Sequence, residues 1–162
     1  MLRSRANSPG GTTMLSARRL LSGAALVTTV SAGLAVPAEA AAAPPMCLDA
    51  TNDRGNGVRI YQWECQNGNN NQKFVIDNGQ IKIKDTLARR PMCVDVTNDR
   101  GNGVRIYQWE CQDGNNNQRF VIDNGQIKIK DTLGRRPMCL DVTNDRGNGV
   151  RVYQWECQDG NN

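Results

Sequence analysis

From residue 46 onward the apolar positions fall in short runs separated by turn formers, and no run keeps helical spacing over the length of a helix. Met46 to Ala50 is a short apolar start, and Thr51 to Gly57 (TNDRGNG) is dense in turn residues. Val58 to Cys65 then alternates, with Val58, Ile60, Gln62 and Glu64 on one side and Arg59, Tyr61, Trp63 and Cys65 on the other. A second turn cluster, Gln66 to Asn71, leads into a run at Lys73 to Ile76. Asp77-Asn78-Gly79 marks a tight hairpin before Ile81 to Lys84. The pattern predicts about four short strands in 46 residues and an all-β fold.

The pattern then repeats. Met46 to Pro91 returns as Met92 to Pro137 with 41 of 46 positions identical, the exceptions being Leu48/Val94, Ala50/Val96, Asn67/Asp113, Lys73/Arg119 and Ala88/Gly134. A third copy starts at Met138 and runs to Asn162, matching the second except for Leu140 and Val152. A unit this short cannot bury its own apolar face, so the copies are expected to pack into one domain over 46–162, with repeats 46–91, 92–137 and an incomplete 138–162.

The first 45 residues lie outside the period. Arg18-Arg19, the apolar run Leu20 to Val36, Pro37 and the small-x-small triplet Ala38-Glu39-Ala40 predict a signal peptide over 1–40 and a linker over 41–45. The run is short and broken by Ser, Thr and Gly, which argues against a stable membrane anchor. Export is therefore expected, and the arginine pair leaves both the general secretory and the twin-arginine route open. Losing Arg3, Arg5, Arg18, Arg19 and Glu39 takes the formal charge from +4 to +1, so net charge points to no nucleic-acid partner.

All six cysteines lie in the repeats, in pairs 18 apart: Cys47 and Cys65, Cys93 and Cys111, Cys139 and Cys157. In an exported chain an even count implies disulfides, and the repetition favours one bridge inside each repeat. Without histidine or a CxxC pair, no metal site is expected, and nothing indicates a cofactor. The TNDRGNG loop does not carry the ligand register of a calcium loop. Residues 46–162 also contain no serine, which excludes the usual nucleophilic triads. A glycoside-cleaving pair such as Asp49 with Glu64 would have to recur in every copy, so no enzyme is expected.

Three marks recur in fixed order. They are CLD or CVD at the head of each repeat (Cys47-Leu48-Asp49), W-x-C (Trp63-Glu64-Cys65), and NQ-x-aromatic (Asn71, Gln72, Phe74) in the two full copies. Together they make 46–162 resemble the R-type lectins, the ricin B-chain-like β-trefoil carbohydrate-binding modules. The resemblance implies three four-stranded units around a pseudo-threefold axis, here with about ten of twelve strands, and a sugar pocket on each unit. It implies Asp49, Asp95 and Asp141 as acceptors of sugar hydroxyl hydrogens, Trp63, Trp109 and Trp155 as platforms under the sugar ring, and Asn71 and Asn117 as polar partners. Gln72 and Gln118, with Phe74 and Phe120, match the mainly structural QxW pair, and the within-repeat disulfide matches the family's. Tyr61, Tyr107 and Tyr153 stand where the family often has glutamine. The resemblance also places such modules beside catalytic or toxin domains in secreted proteins.

The chemistry suits a sugar, whose ring offers one apolar face and an edge of hydroxyls: a flat aromatic meets the first, a carboxylate with an amide the second. Simpler roles exist for the same residues, a core position for Trp63 and a turn-capping one for Asp49. The arginine that shares Trp63's strand face favours exposure of the ring. A different binding mode would use Lys82, Lys84, Arg89, Arg90, Lys128, Lys130, Arg135 and Arg136 as a basic stripe for an acidic polysaccharide or a protein. The missing half of the third repeat is expected to expose apolar side chains such as Phe74 and Phe120, or their packing partners, together with a strand edge, and so to leave the chain marginal or self-associating.

Overall fold

The computed structural model describes residues 42–160, so the signal-peptide reading of 1–40 lies outside the described residues. The first repeat forms β1 (Met46–Asp49), β2 (Val58–Arg59), β3 (Tyr61–Glu64), β4 (Phe74–Asp77) and β5 (Gln80–Ile83). The second repeats this as β6 (Met92–Asp95), β7 (Val104–Arg105), β8 (Tyr107–Glu110), β9 (Phe120–Asp123) and β10 (Gln126–Ile129). The third contributes β11 (Met138–Asp141), β12 (Val150–Arg151) and β13 (Tyr153–Glu156). The count exceeds the expected four per repeat because the run from Val58 to Cys65 breaks at Ile60, which leaves the ladder to bond across the centre of the molecule.

That break builds the centre. The Ile60 N–H donates to the Ile106 carbonyl at 3.2 Å, Ile106 to Val152 at 3.3 Å, and Val152 back to Ile60 at 3.2 Å. All three side chains are buried. Around this ring each short strand pairs with the long strand of the next repeat: β2 with β8, β7 with β13, and β12 with β3. The cycle therefore closes from the third repeat to the first, and three repeats share one core containing Ile60, Ile83, Met92, Val94, Ile106, Ile129, Met138 and Val152. This is a β-trefoil.

Inside a repeat the local chemistry is as the pattern predicts. Asn78 and Gly79 both take positive φ, 48° and 75°, and close the two-residue turn between β4 and β5. Short 3-10 turns, absent from the pattern, follow the strands at Asn70–Gln72 and Lys84–Thr86. The second of these joins repeats: the buried Thr86 hydroxyl donates to Ile83 O at 2.7 Å and accepts from Met92 N–H at 2.9 Å. Disulfides join Cys47 to Cys65, Cys93 to Cys111 and Cys139 to Cys157, one in each repeat as expected. Each closes a loop of 18 residues and contributes roughly 3 kcal/mol in the chain-entropy description.

Threefold symmetry fails at one place. β5 pairs with β6 through Lys82 and Cys93, and β10 with β11 through Lys128 and Cys139, but among the described residues no hairpin covers the corresponding edge of β1. Met92 and Met138 are fully buried whereas Met46 is only partly so, and Leu48, Phe74, Ile127, Leu140 and Val142 pack against the core while only half-buried. One expectation needs correction: Phe120 is buried, because the first repeat's hairpin turn lies against it and Gly79 O accepts its N–H at 2.8 Å. Phe74, whose counterpart turn is absent among the described residues, is the phenylalanine that faces the gap. Appending NQRFVIDNGQIKIKDTLGRRP after Asn162 should cover these side chains and raise the thermal midpoint by at least about 4 °C, measured by calorimetry.

Candidate functional site

In the antiparallel pair of β1 and β3, Cys47 faces Trp63 and Asp49 faces Tyr61. Opposed residues share a sheet face, so Asp49, Tyr61, Trp63 and the disulfide all lie on one side while Leu48 and Gln62 point to the core. The same register holds for Asp95, Tyr107 and Trp109, and for Asp141, Tyr153 and Trp155. Each group lines a cavity. In the first repeat a pocket of about 530 Å³ brings Asp49, Tyr61, Trp63 and Asn71 together, with Gln66 and Asn69 from the second turn cluster. A pocket of about 480 Å³ holds Asp95, Tyr107, Trp109 and Asn117 in the second repeat. In the third, about 510 Å³ is bounded by Asp141, Asn144, Tyr153 and Trp155. The tryptophans are exposed to 38%, 41% and 40%, so they are surface rings and not core.

Asp49 is held in place by two kinds of bond. Asp49 Oδ1 accepts the Thr51 N–H at 2.8 Å, the turn-capping role open to it in the sequence, and Oδ2 accepts Gln72 Nε2 at 3.1 Å. Asn69 Nδ2 adds a longer contact to Oδ2 at 3.4 Å, and since a carboxylate has about four acceptor directions, one remains for a ligand. Gln72 also donates to Glu64 O at 3.0 Å and accepts from Gln66 N–H at 2.8 Å, tying the head strand, β3 and the pocket loop together. Its copy Gln118 is completely buried and makes the same set with Asp95, Glu110 and Gln112.

Asn71 is part of a second cluster that sequence reasoning missed. Its Nδ2 donates to Asn52 at 2.9 Å, and its Oδ1 accepts from Arg54 at 2.7 Å. Arg54 also reaches the Thr51 carbonyl and forms a two-bond pair with Asp85 at 3.2 and 3.0 Å. Arg100 does the same with Asn117 and Asp131. The signal for this pair was an arginine and an aspartate 31 residues apart in both full copies. Their separation hid it among ordinary surface charges.

Burial pushes the Asp95 carboxyl above its ordinary 3.8, opposed by the Gln118 hydrogen bond and the Arg100 charge. Asp141 is raised for the same reason, opposed by the Val142 N–H and Arg146. The arrangement is a set of shallow pockets, each with a fixed acceptor beside an exposed ring. Among the described residues no cluster of His, Cys, Asp or Glu could hold a metal.

A β-trefoil with one carboxylate and one exposed indole in a pocket on each repeat defines a class of binding domain. The family model of the ricin-type beta-trefoil lectin domain matches residues 39–162, and the chain belongs to that family. Among solved structures it is similar to the C-half of an earthworm R-type lectin in complex with GalNAc, at 21% identity and a TM-score of 0.54 over 70% of this chain and 82% of that one. It is also similar to a mutant of the earthworm lectin C-terminal domain in complex with 6′-sialyllactose, at 18% identity and a TM-score of 0.50 over the same shares, 70% and 82%. No curated protein matches the chain.

The raised Asp95 carboxyl makes a sign-definite expectation. The folded protein holds that proton more tightly than the unfolded chain, so Asp95 removes stability as pH rises from 3.8 through the raised folded value. Side-chain carboxyl NMR should place its midpoint above 3.8, and Gln118→Leu, which deletes the opposing hydrogen bond, should move it higher still.

Proposed function

We propose that the protein is a secreted carbohydrate-binding module that holds sugar units of a glycan or polysaccharide in an Asp and Trp pocket on each repeat, without catalysis. The observation that carries this reading is that Asp49 with Trp63, Asp95 with Trp109 and Asp141 with Trp155 occupy the same register and line a cavity each time. The exposed ring supplies the apolar platform, and the carboxylate, pinned on one side by glutamine in the two full repeats, accepts from a sugar hydroxyl. Shallow sites bind weakly alone, and three on one rigid domain gain through multivalency. The six bridged cysteines suit an oxidising compartment. A module of this kind fits within, or as a derivative of, a larger secreted glycosidase or toxin.

The basic-stripe reading has less support. Lys82 and Lys128 are paired with Asp77 and Asp123 at 2.7 and 2.8 Å, and Arg90 and Arg136 with Glu110 and Glu156 at 3.0 and 2.9 Å. Half of the stripe is thus neutralised by its own surface. Retention on an immobilised neutral polysaccharide should be competed by a free neutral sugar such as GalNAc and hold at moderate salt, whereas a charge-driven surface would release its ligand. Trp63→Ala and Trp109→Ala should each weaken retention roughly tenfold, about 1.4 kcal/mol, and the double variant should lose it. Retention that survives with Trp155→Ala added to the double change would move the site elsewhere.

Among the described residues the edge of β1 is uncovered and its Leu48 is half-buried, which supports self-association of this segment. Sedimentation velocity of the 42–162 segment should show a concentration-dependent dimer or larger species, and the same segment extended by a third hairpin should sediment as a monomer.

A further inference from the structure

We infer that each pocket tryptophan is positioned by the loop of the neighbouring repeat, so that Asn148 and Gly149 of the third repeat are positioning residues for the first repeat's site. The inference rests on the sugar-binding reading only for its functional consequence. Trp63 lies between Gln62 and Glu64, and both are gripped by the loop from Asp145 to Gly149. The buried Gln62 amide donates to the carbonyls of Asp145 at 2.6 Å and Gly147 at 3.2 Å, and its backbone carbonyl accepts the Gly149 N–H at 3.0 Å. On the other side of Trp63, the Glu64 N–H donates to Asn148 Oδ1 at 2.6 Å. The indole itself meets Gly149, where an added Cβ would lie 3.4 Å from Cζ3 at a φ of +78°.

The geometry is the same at the other two junctions. Asn56 accepts from Glu110 N–H at 2.8 Å and Gly57 lies against Trp109; Asn102 accepts from Glu156 N–H at 2.8 Å and Gly103 lies against Trp155. Support therefore runs one way around the ring, from the first repeat to the second, the second to the third, and the third to the first. A side chain at the glycine would wedge the ring out of line, and loss of the asparagine acceptor would release the strand end beside it. Sequence-local reasoning assigns all of a pocket to its own repeat; the structure puts one wall of it in another. An exposed ring held in one orientation by its neighbours loses little rotational freedom when a ligand stacks on it.

The test uses the full chain carrying Trp109→Ala and Trp155→Ala, which leaves Trp63 as the single tryptophan. In that background Asn148→Ala should red-shift Trp63 emission, raise its quenching by acrylamide, and weaken the fluorescence-detected affinity for GalNAc about three- to tenfold. Asn148→Asp keeps the acceptor and should stay within about twofold of the parent. Gly149→Val should act like Asn148→Ala. Gly125→Val, at a similar φ of +76° with no atom within 4 Å of its Cβ, controls for backbone strain and should leave Trp63 unaffected. Unchanged emission and quenching in both Asn148→Ala and Gly149→Val would overturn the inference, as would equal losses in Gly125→Val. If those variants alter Trp63 as expected while the parent gives no response to GalNAc, positioning stands and the sugar reading of this pocket fails in its place.

Discussion

Three hydrogen bonds hold this protein's architecture together: Ile60 to Ile106, Ile106 to Val152, and Val152 to Ile60. They are made by backbone groups buried where water cannot substitute, so each is obligatory once the surrounding side chains pack. The ring forces every repeat to break its central strand at the same residue. That break separates a two-residue piece, which pairs with the neighbouring repeat, from a four-residue piece, which carries the tryptophan. Repeats that could not fold alone thereby become one domain with one core.

The pockets are consequences of that arrangement. With the core side of β3 taken by Gln62 and the outer side by Tyr61, Trp63 and the disulfide, the indole has nowhere to go but the surface. The aspartate opposite Tyr61 is then held from below by the QxF glutamine, whose amide also closes the loop beside it. In the second repeat this glutamine is fully buried and shares its oxygen with Gln80 of the first repeat at 3.2 Å, so even the clamp under the acceptor is tied across a repeat boundary. Rigidity at the pocket is thus borrowed from the closure of the whole ring.

The third repeat shows which parts of the plan are separable. Its head strand, loop and tryptophan strand complete the cycle of pairings and furnish a pocket, because those elements are the ones that meet at the axis. What the described residues lack there is the cover over β1, and the deficit is local: Met46, Leu48 and Phe74 are left half-buried while Ile60, Ile106 and Val152 remain sealed. Closure of the ring and closure of the far end of the barrel are different physical tasks performed by different strands.

Much of this was legible in the residues. Exact repetition pointed to a single bridge in each repeat, alternation from Val58 to Cys65 put Gln62 and Trp63 on opposite faces with Arg59 favouring an exposed Trp63, and Asn78-Gly79 announced its hairpin, since these depend on neighbours a few positions away. The recurrence of CLD, W-x-C and NQ-x-aromatic marked the residues that the pockets gather. Tertiary structure alone decided the rest. That the strand breaks at Ile60, that Phe120 is covered while Phe74 is not, that Arg54 joins Asn71 to Asp85, and that Trp63 rests on Gly149 all depend on which repeat lies beside which. A repeated sequence assigns the same pattern to every copy, and only the cyclic packing of the copies distinguishes a residue's own repeat from the one that supports it.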